Sequence, residues 1–255
     1  MHFFLAGHIL GHRRVVNAQI RNYLASYAYP DYIEHFTSVA TRPYRLLIDS
    51  GAFSVWNKGR VFSVDDYAHW LHDHIPQWQQ GGDVRYFNLD VIGDQSASWH
   101  NQQRLESRGL SPIPIFTYGA DFAHWHRALD NYEYVALGGL VPFATERKKL
   151  WAWLDKCFAV VVRRFKDTGV MPRVHILGIG TQASLFRYPC YSADSSSWLS
   201  AIRHGRTTTD LPAIPRASQG GRDVELYVLR REIENAARVQ NEATKLWTQR
   251  GVTWN

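Results

Sequence analysis

Residues 173–180 read RVHILGIG, and residues 134–139 read YVALGG. Each stretch is a short run of apolar and β-branched residues that stops at two glycines. The apolar residues are continuous instead of alternating with polar ones, which is typical of a parallel sheet covered by helices. Five further stretches have this character: residues 3–7 (FFLAG), 44–51 (YRLLIDSG), 85–91 (RYFNLDV), 113–119 (IPIFTYG) and 190–195 (CYSADS). The chain therefore contains seven candidate strands.

The segments between the candidate strands have helical spacing. They cover residues 64–78, 95–108, 121–131 and 145–167, and residues 222–250 form a further helical segment. Repeated strand-then-helix units favour either a barrel or a doubly wound sheet. We predict an α/β fold, a (β/α)8 TIM-type barrel, as one domain over residues 1–255. The eighth strand is not obvious, and residues 207–221 (TTTDLPAIPRASQGG) would hold either an irregular last strand or a surface loop.

The composition excludes several classes of protein. With 255 residues and 45% apolar content the chain can fill a hydrophobic core. Its two cysteines, Cys157 and Cys190, exclude a disulfide framework and a zinc site with three or four thiolates. No run approaches the roughly 18–20 apolar residues of a membrane span, and the first residues lack the basic start of a signal peptide. We therefore expect a soluble cytoplasmic protein, and the net charge of +6 favours a polyanionic partner.

Three aspartates stand where candidate strands end: Asp49, Asp90 and Asp194. In a parallel barrel these ends share one rim, the face on which active sites lie. Any one of the three also fits a helix N-cap or a turn. The glycine-rich ends of the strands at 134–139 and 173–180 leave that rim without side chains, so a flat ligand can approach the backbone. Carboxylates around such a site suit displacement at a sugar anomeric carbon, with one carboxylate as nucleophile.

The order of these motifs resembles the tRNA-guanine transglycosylase superfamily, and within it the smaller enzymes that insert 7-deazaguanine bases into the DNA of phages and bacterial modification islands. Residues 49–53 (DSGAF) resemble the family's D-S-G-G-F/Y signature, and Leu89-Asp90 resembles its F-D pair. Residues 134–140 (YVALGGL) resemble the Y-A-V-G-G-L strand, and residues 176–181 (ILGIGT) resemble the L-M-G-V-G-T/K strand. Asp194 lies where the family has its nucleophile. The resemblance extends over about residues 44–206.

The resemblance implies a role for each matching residue. Asp194 is expected to attack C1′ of the target nucleotide, expel guanine and hold the sugar covalently, and Asp49 is expected to be the general acid and base. Asp90 would accept hydrogen bonds from the guanine N1–H and exocyclic amine. The predicted base-binding residues are Asp90, Phe53, Ser50, Tyr118, Gly138, Gly139, Leu177 and Gly178. The exchange implied by the resemblance uses no cofactor and no metal.

Two departures from the family pattern separate this chain from the tRNA enzymes. Those enzymes usually have a glutamine before the glycine at the fourth strand end, where this sequence has Thr117-Tyr118-Gly119. Their zinc motif, C-x-C-x-x-C with a later histidine, is missing, so we expect no zinc subdomain. The expected partners are therefore DNA, presented as a flipped or single-stranded guanine, and a 7-deazaguanine base such as preQ0.

The basic residues are concentrated in one part of the sequence. Residues 142–173 contain eight basic and three acidic residues, a local charge of +5. We predict that phosphates contact Arg147, Lys148, Lys149 and Arg206, although a solvated helix face explains such a pattern equally well.

Three other hypotheses stay open at this point. The same chemistry on tRNA is the first. The second, from another class, is a non-catalytic barrel that only binds nucleic acid or a modified base. A metal-dependent hydrolase is the third, since His69, His72 and His74 lie close together and His124 and His126 flank Trp125. Their spacing does not match the i, i+4 histidine pair of a zincin. The sequence does not indicate an oligomeric state.

Overall fold

The computed structural model describes residues 1–7, 19–52, 62–200 and 217–254. Eight parallel strands form one sheet in these residues. The strands are β1 (His2–Ala6), β2 (Asn22–Ser26), β3 (Tyr44–Asp49), β4 (Gly82–Tyr86), β5 (Ile115–Thr117), β6 (Tyr134–Gly138), β7 (Arg173–Ile176) and β8 (Ser192–Ser195).

The strands follow one another around the sheet in chain order. The order is β4-β3-β2-β1-β8-β7-β6-β5, so the first strand pairs with the last. The two outer strands of this order meet through one parallel bridge between Phe87, directly after β4, and Ile113. There the Asn88 N–H donates to the Ile113 carbonyl at 3.0 Å, and the Ile113 N–H donates to the Tyr86 carbonyl at 2.8 Å. The fold is a TIM-type α/β barrel, as predicted.

A helix follows each strand from β2 onward. The helices are α1 (Pro30–Val39), α2 (Val64–Gln79), α3 (Gln95–Glu106), α4 (Phe122–Asn131), α5 (Arg147–Thr168), α6 (Gln182–Arg187) and α7 (Ala217–Gln249). Side-chain caps begin several of them: Ser63 accepts from two backbone N–H groups of α2, and Thr181 forms a capping box with Ser184. Gly169, in the left-handed region at φ 74°, ends α5. None of the helices in the described ranges is both long and apolar enough to cross a membrane.

Seven of the eight strands were predicted from the sequence. The eighth is β2, between the first and second predicted strands. The stretch 207–221 was predicted to hold either an irregular last strand or a surface loop. Residues 217–221 of that stretch belong to α7, and 207–216 lie outside the described residues. The sequence of β2, NYLAS, mixes polar and apolar residues and ends without the glycine or aspartate that marks the other strands. Four of its five residues are buried by pairing with β1 and β3, so tertiary contacts define this strand.

One cluster of buried apolar side chains fills the barrel interior. It consists of Phe4, Ala6, Leu24, Leu47, Phe87, Ile113, Ile115 and Ala136. The alternate residues of the same strands, such as Leu46 and Ile48 of β3, belong to clusters that also include helix residues such as Phe36. This alternation is the period of two expected of barrel strands. The cluster draws its members from β1 to β6 and their flanks, whereas β7 and β8 place polar side chains in the interior.

Candidate active site

A cavity of about 170 Å³ lies at the end of the barrel where the strands have their carboxyl ends. Seven predicted site residues line it: Asp49, Asp90, Gly138, Gly139, Leu177, Gly178 and Asp194. The remaining lining is apolar: Leu24, Ile92, Ile115, Leu140, Val141 and Pro142. A protein cavity of about 150 Å³ accommodates benzene, so this volume suits a flat ring. The structure therefore brings the three strand-end aspartates to one apolar cavity with a glycine-rich wall.

Asp194 is held in place by donors from β7 and the turn after it. The residue is 4% exposed, and its Oδ1 accepts from the Gly178 N–H at 2.7 Å and from His175 Nε2 at 3.1 Å. Its Oδ2 receives no hydrogen bond from the residues that the structure describes. A buried carboxylate is stabilised by such donors. The second oxygen stays available to a ligand in the cavity.

Two glycines allow the backbone to approach Asp194 this closely. Gly178 has φ 73°, a left-handed conformation that orients its N–H for the bond to Oδ1. Gly180 donates its N–H to the Asp194 carbonyl at 2.7 Å, and a Cβ at position 180 would lie 2.6 Å from that oxygen. Gly178 and Gly180 are therefore explained by their contacts with Asp194 of β8. Gly178 also lines the cavity, as the sequence predicted.

Asp49 ends β3 and has a strongly perturbed proton affinity. Its Oδ2 accepts from the Gly51 N–H at 3.0 Å, and the Ser26 side chain also donates to the carboxylate. Burial, followed by the negative charge of Asp90, raises the pKa of Asp49 from 3.8 to about 7, with a smaller contribution from Asp194. The Gly51 and Ser26 hydrogen bonds oppose this rise. At neutral pH Asp49 is therefore able both to donate and to accept a proton, as a general acid and base must.

Asp90 is the third carboxylate at the cavity. Burial raises its pKa from 3.8 to about 6, and the hydrogen bond that Ser50 Oγ donates to its Oδ1 at 3.3 Å opposes the rise. Both carboxyl groups therefore have pKa values raised toward neutrality, and the charge of Asp90 contributes to the rise at Asp49. An ionised Asp90 accepts hydrogen bonds only.

The structure places the other predicted base-binding residues in different positions. Ser50 is fully buried and contacts Asp90, so it orients that carboxylate and does not itself line the cavity. Tyr118 stacks on Phe143 with ring centroids 4.0 Å apart, behind the wall formed by Gly138 and Gly139. Phe53 and Arg206 lie outside the described residues.

The sequence did not single out His175, Ser192, Tyr134 and Ser26, which the structure connects to the site. His175 contacts Asp194, and Ser26 contacts Asp49. The sequence did contain a signal for His175. It is two residues from Leu177, and residues at this spacing on a strand share a face. Ser192 has the same spacing from Asp194. A histidine in the middle of an apolar strand, in phase with a cavity-lining residue, marks an inward polar position.

The predicted basic residues Arg147, Lys148 and Lys149 are exposed in the first turn of α5. This helix follows a short 3-10 helix (Val141–Phe143), of which Val141 and Pro142 line the cavity. Lys149 forms an ion pair with Glu146. Positive charge at a helix N-terminus opposes the helix dipole, so these residues are not explained by helix stability. Their helix begins four residues after the end of the 3-10 helix that contributes Val141 and Pro142 to the cavity wall.

Two of the clustered histidines, His72 and His74, have hydrogen-bond partners in the fold. His72 and His74 bond the carbonyls of Arg108 and Trp70, at 3.0 Å and 2.8 Å. Within the described ranges, no three side chains of histidine, cysteine, aspartate or glutamate come together as a set of metal ligands. Both cysteines are buried, free thiols, and burial raises their pKa values.

We expect the half-buried carboxylate of Asp49 to make the fold less stable above about pH 7 than in acid. Below pH 3.8 both states bind the proton, whereas between 3.8 and about 7 only the folded state keeps it. The free energy of unfolding therefore falls as pH rises through this window and levels off above it. Asp49→Asn removes this titrating group. The free energy of unfolding of the variant minus that of wild type should therefore increase by about 2 kcal/mol between about pH 5 and pH 8.

Urea unfolding at the two pH values, followed by circular dichroism, measures this difference. Asp73→Asn is the matched control because Asp73 is exposed on α2, and its effect should be the same at both pH values. An Asp49→Asn gain that does not change with pH would show that the carboxylate is ionised in the folded protein throughout.

Comparisons with known proteins do not assign this chain to a family. No family model matches the chain. No curated protein matches it. One solved structure to which it is similar is described as a crystal structure of the 4-hydroxy-2-oxoglutarate aldolase/2-deydro-3-deoxyphosphogluconate aldolase from TTHB1, at 11% sequence identity, over 93% of this chain and 92% of that chain, with a TM-score of 0.44. The site residues described above rest on the sequence and geometry of this chain.

Proposed function

We propose that this protein is an enzyme that exchanges guanine in DNA for a 7-deazaguanine base, by double displacement through a covalent intermediate on Asp194. The observation that carries the proposal is the arrangement of Asp49, Asp90 and Asp194 around one glycine-walled cavity, where each carboxylate has a different hydrogen-bonding environment. Each environment fits a different task in base exchange.

In the first half of the proposed reaction, Asp194 Oδ2 attacks C1′ and forms a new bond to it. The glycosidic bond breaks, its electron pair goes to the base nitrogen, and Asp49 transfers its proton to the leaving guanine. In the second half, Asp49 removes the proton of the incoming base. That base attacks C1′ and displaces Asp194, so two inversions retain the configuration of the sugar.

Recognition of the base is assigned to Asp90 and the backbone wall. Guanine and its 7-deaza analogues present two donors side by side, the ring N1–H and the exocyclic amine. An ionised carboxylate is the side chain that accepts both. Leu177 is expected to contact one face of the ring, while Gly138 and Gly139 leave space for its edge. The cavity holds one ring system and not a base pair, so the target base must be flipped or single-stranded.

An exchange assay tests the proposal directly. Radiolabelled guanine is incorporated into duplex DNA, single-stranded DNA and tRNA, and its release is measured with protein and preQ0 present. Release from DNA is the expected result, and release from tRNA alone would assign the same chemistry to RNA. No release from any of the three, with folded protein, would leave the non-catalytic barrel as the better description.

The proposal also predicts which cations contact the nucleic acid. Replacing Arg147, Lys148 and Lys149 together with glutamine should weaken DNA binding and reduce the slope of log affinity against log salt concentration by about 2 to 3. The matched control replaces Lys156, Arg163 and Lys166, which are exposed further along the same helix, with the same loss of charge. Equal effects of the two triple variants in a fluorescence anisotropy titration would mean that net charge alone, and not this site, attracts DNA.

A further inference from the structure

A chain of polar side chains crosses the otherwise apolar interior of the barrel and ends at Asp194. Tyr134 Oη lies 2.5 Å from Ser192 Oγ, and Ser192 Oγ lies 2.6 Å from His175 Nδ1. His175 Nε2 lies 3.1 Å from Asp194 Oδ1. Ser192 and His175 have no exposed surface, and the rings of Phe4 and Phe87 lie against the imidazole, with centroids 6.1 Å and 5.1 Å away. The exchange mechanism above does not use this chain.

The donors and acceptors of the chain can be arranged in one direction, from Tyr134 to Asp194. Burial raises the pKa of Tyr134 well above 10, so its hydroxyl keeps its proton and can donate to Ser192. Ser192 can in turn donate to His175 Nδ1, and a neutral imidazole then carries its proton on Nε2. An ionised carboxylate only accepts, so an Nε2–H at this position can donate to Asp194 Oδ1. The same oxygen accepts from the Gly178 N–H.

We infer that His175 is a positioning residue of the proposed reaction, which holds Asp194 Oδ1 so that Oδ2 is the attacking atom, and that Ser192 and Tyr134 fix its tautomer. This inference rests on the proposed function. Two donors on one carboxylate oxygen restrict rotation of the group and stabilise its charge in an apolar surrounding. A nucleophile held in this way approaches the sugar carbon in one orientation.

Two substitutions of His175 separate its two hydrogen bonds. The side-chain amide of glutamine can place a donor where Nε2 lies, so His175→Gln keeps the contact with Asp194. Asparagine reaches only the Nδ1 position, so His175→Asn keeps the contact with Ser192 and loses the one with Asp194. In single-turnover formation of the covalent sugar–enzyme adduct, we expect a loss of about 10- to 100-fold for His175→Asn and less than about tenfold for His175→Gln.

Binding of free preQ0, measured by calorimetry, is the readout that a purely structural role would change. We expect its affinity to stay within about threefold in both variants, because Asp90 and the glycine wall are untouched. Tyr134→Phe is a milder probe at the far end of the chain, with an expected effect of only a few-fold. Equal rate losses in the two His175 variants, or parallel losses of preQ0 affinity, would overturn the inference in favour of general disruption of the core.

A measurement without turnover distinguishes this inference from the proposed function. Nitrogen-15 NMR of histidine-labelled protein reports which imidazole nitrogen carries the proton. We expect His175 in the Nε2–H form in wild type, and partial loss of that preference in Ser192→Ala. An Nδ1–H imidazole would overturn the inference even if the enzyme is active. The expected tautomer in a protein that exchanges no base would instead mean that the proposed function fails while the orientation of Asp194 stands.

Discussion

Replacing Asp194 with asparagine is expected to lower the rate of guanine release by about 10⁴-fold or more and to abolish the covalent adduct. The amide keeps the shape of the side chain, and its oxygen can still accept from Gly178 and His175. Its nitrogen has no lone pair available for attack on C1′, so the bond to the sugar cannot form. Quenched single-turnover reactions measure the release, and mass spectrometry of the intact protein measures the adduct.

The asparagine variant should stay folded and bind preQ0, because Asp49 and Asp90 are unchanged. Asp73→Asn, with the same chemical change on an exposed face of α2, should react like wild type. Two outcomes would contradict the assignment. An adduct that persists in Asp194→Asn would identify a different nucleophile, and wild-type protein that binds DNA and base without ever forming an adduct would indicate a binding protein.

The second large effect is expected at Asp49, in the pH dependence of base release. Its pKa of about 7 means that the proton needed by the leaving guanine is present on about half of the molecules at neutral pH. Above that pH the protonated fraction falls about tenfold per unit, and the rate of the first half-reaction should fall with it. Asp49→Asn should lose about 10²- to 10³-fold in rate and show no alkaline limb of this kind.

Single-turnover release without an incoming base isolates this step, because the second half-reaction needs Asp49 ionised. Ser26→Ala is the sharpest companion variant, since the Ser26 hydrogen bond lowers the pKa of Asp49. Its removal should move the alkaline limb to higher pH while leaving the carboxylate in place. A limb that stays at the same pH in both Ser26→Ala and Asp49→Asn would assign the titration to another group.

These two predictions join the stability effect already described. The ionised carboxylate of Asp49 is expected to lower the free energy of unfolding above about pH 7, whereas the reaction is expected to require Asp49 at every pH. A buried carboxylate with a raised pKa is a common compromise between stability and activity at functional sites. The Asp49→Asn variant should therefore be more stable and far less active than wild type at about pH 8.

Much of the fold was predictable from local pattern. Seven strands are visible as apolar runs with glycine or aspartate at their ends, and five of the seven described helices are visible as segments of helical spacing. The helices α1 and α6 were not predicted. Both signals are properties of short segments, so they can be recognised without knowing which other segments they pack against. The aspartates at strand ends were predictable for the same reason: once the strands are parallel, their carboxyl ends must share one rim.

Contacts between distant segments account for what the sequence did not indicate. Strand β2 has no distinctive pattern and exists because β1 and β3 pair with it. Ser50 belongs to a recognisable motif, yet its role depends on Asp90, forty residues further along the chain.

The amino-acid sequence also does not indicate the proton affinities of the carboxylates. The pKa values of Asp49 and Asp90 depend on burial and mutual distance, which no local pattern reports. The contact between His175 and Asp194 joins the neighbouring strands β7 and β8, and Ser192, which contacts the same imidazole, also contacts Tyr134 on β6. Residue types and their positions along the strands follow from the amino-acid sequence, because secondary structure has a short period. Which oxygen of Asp194 accepts the hydrogen bonds of Gly178 and His175, and how far burial raises the pKa values of Asp49 and Asp90, follows only from the folded barrel, because hydrogen bonds and desolvation act through space.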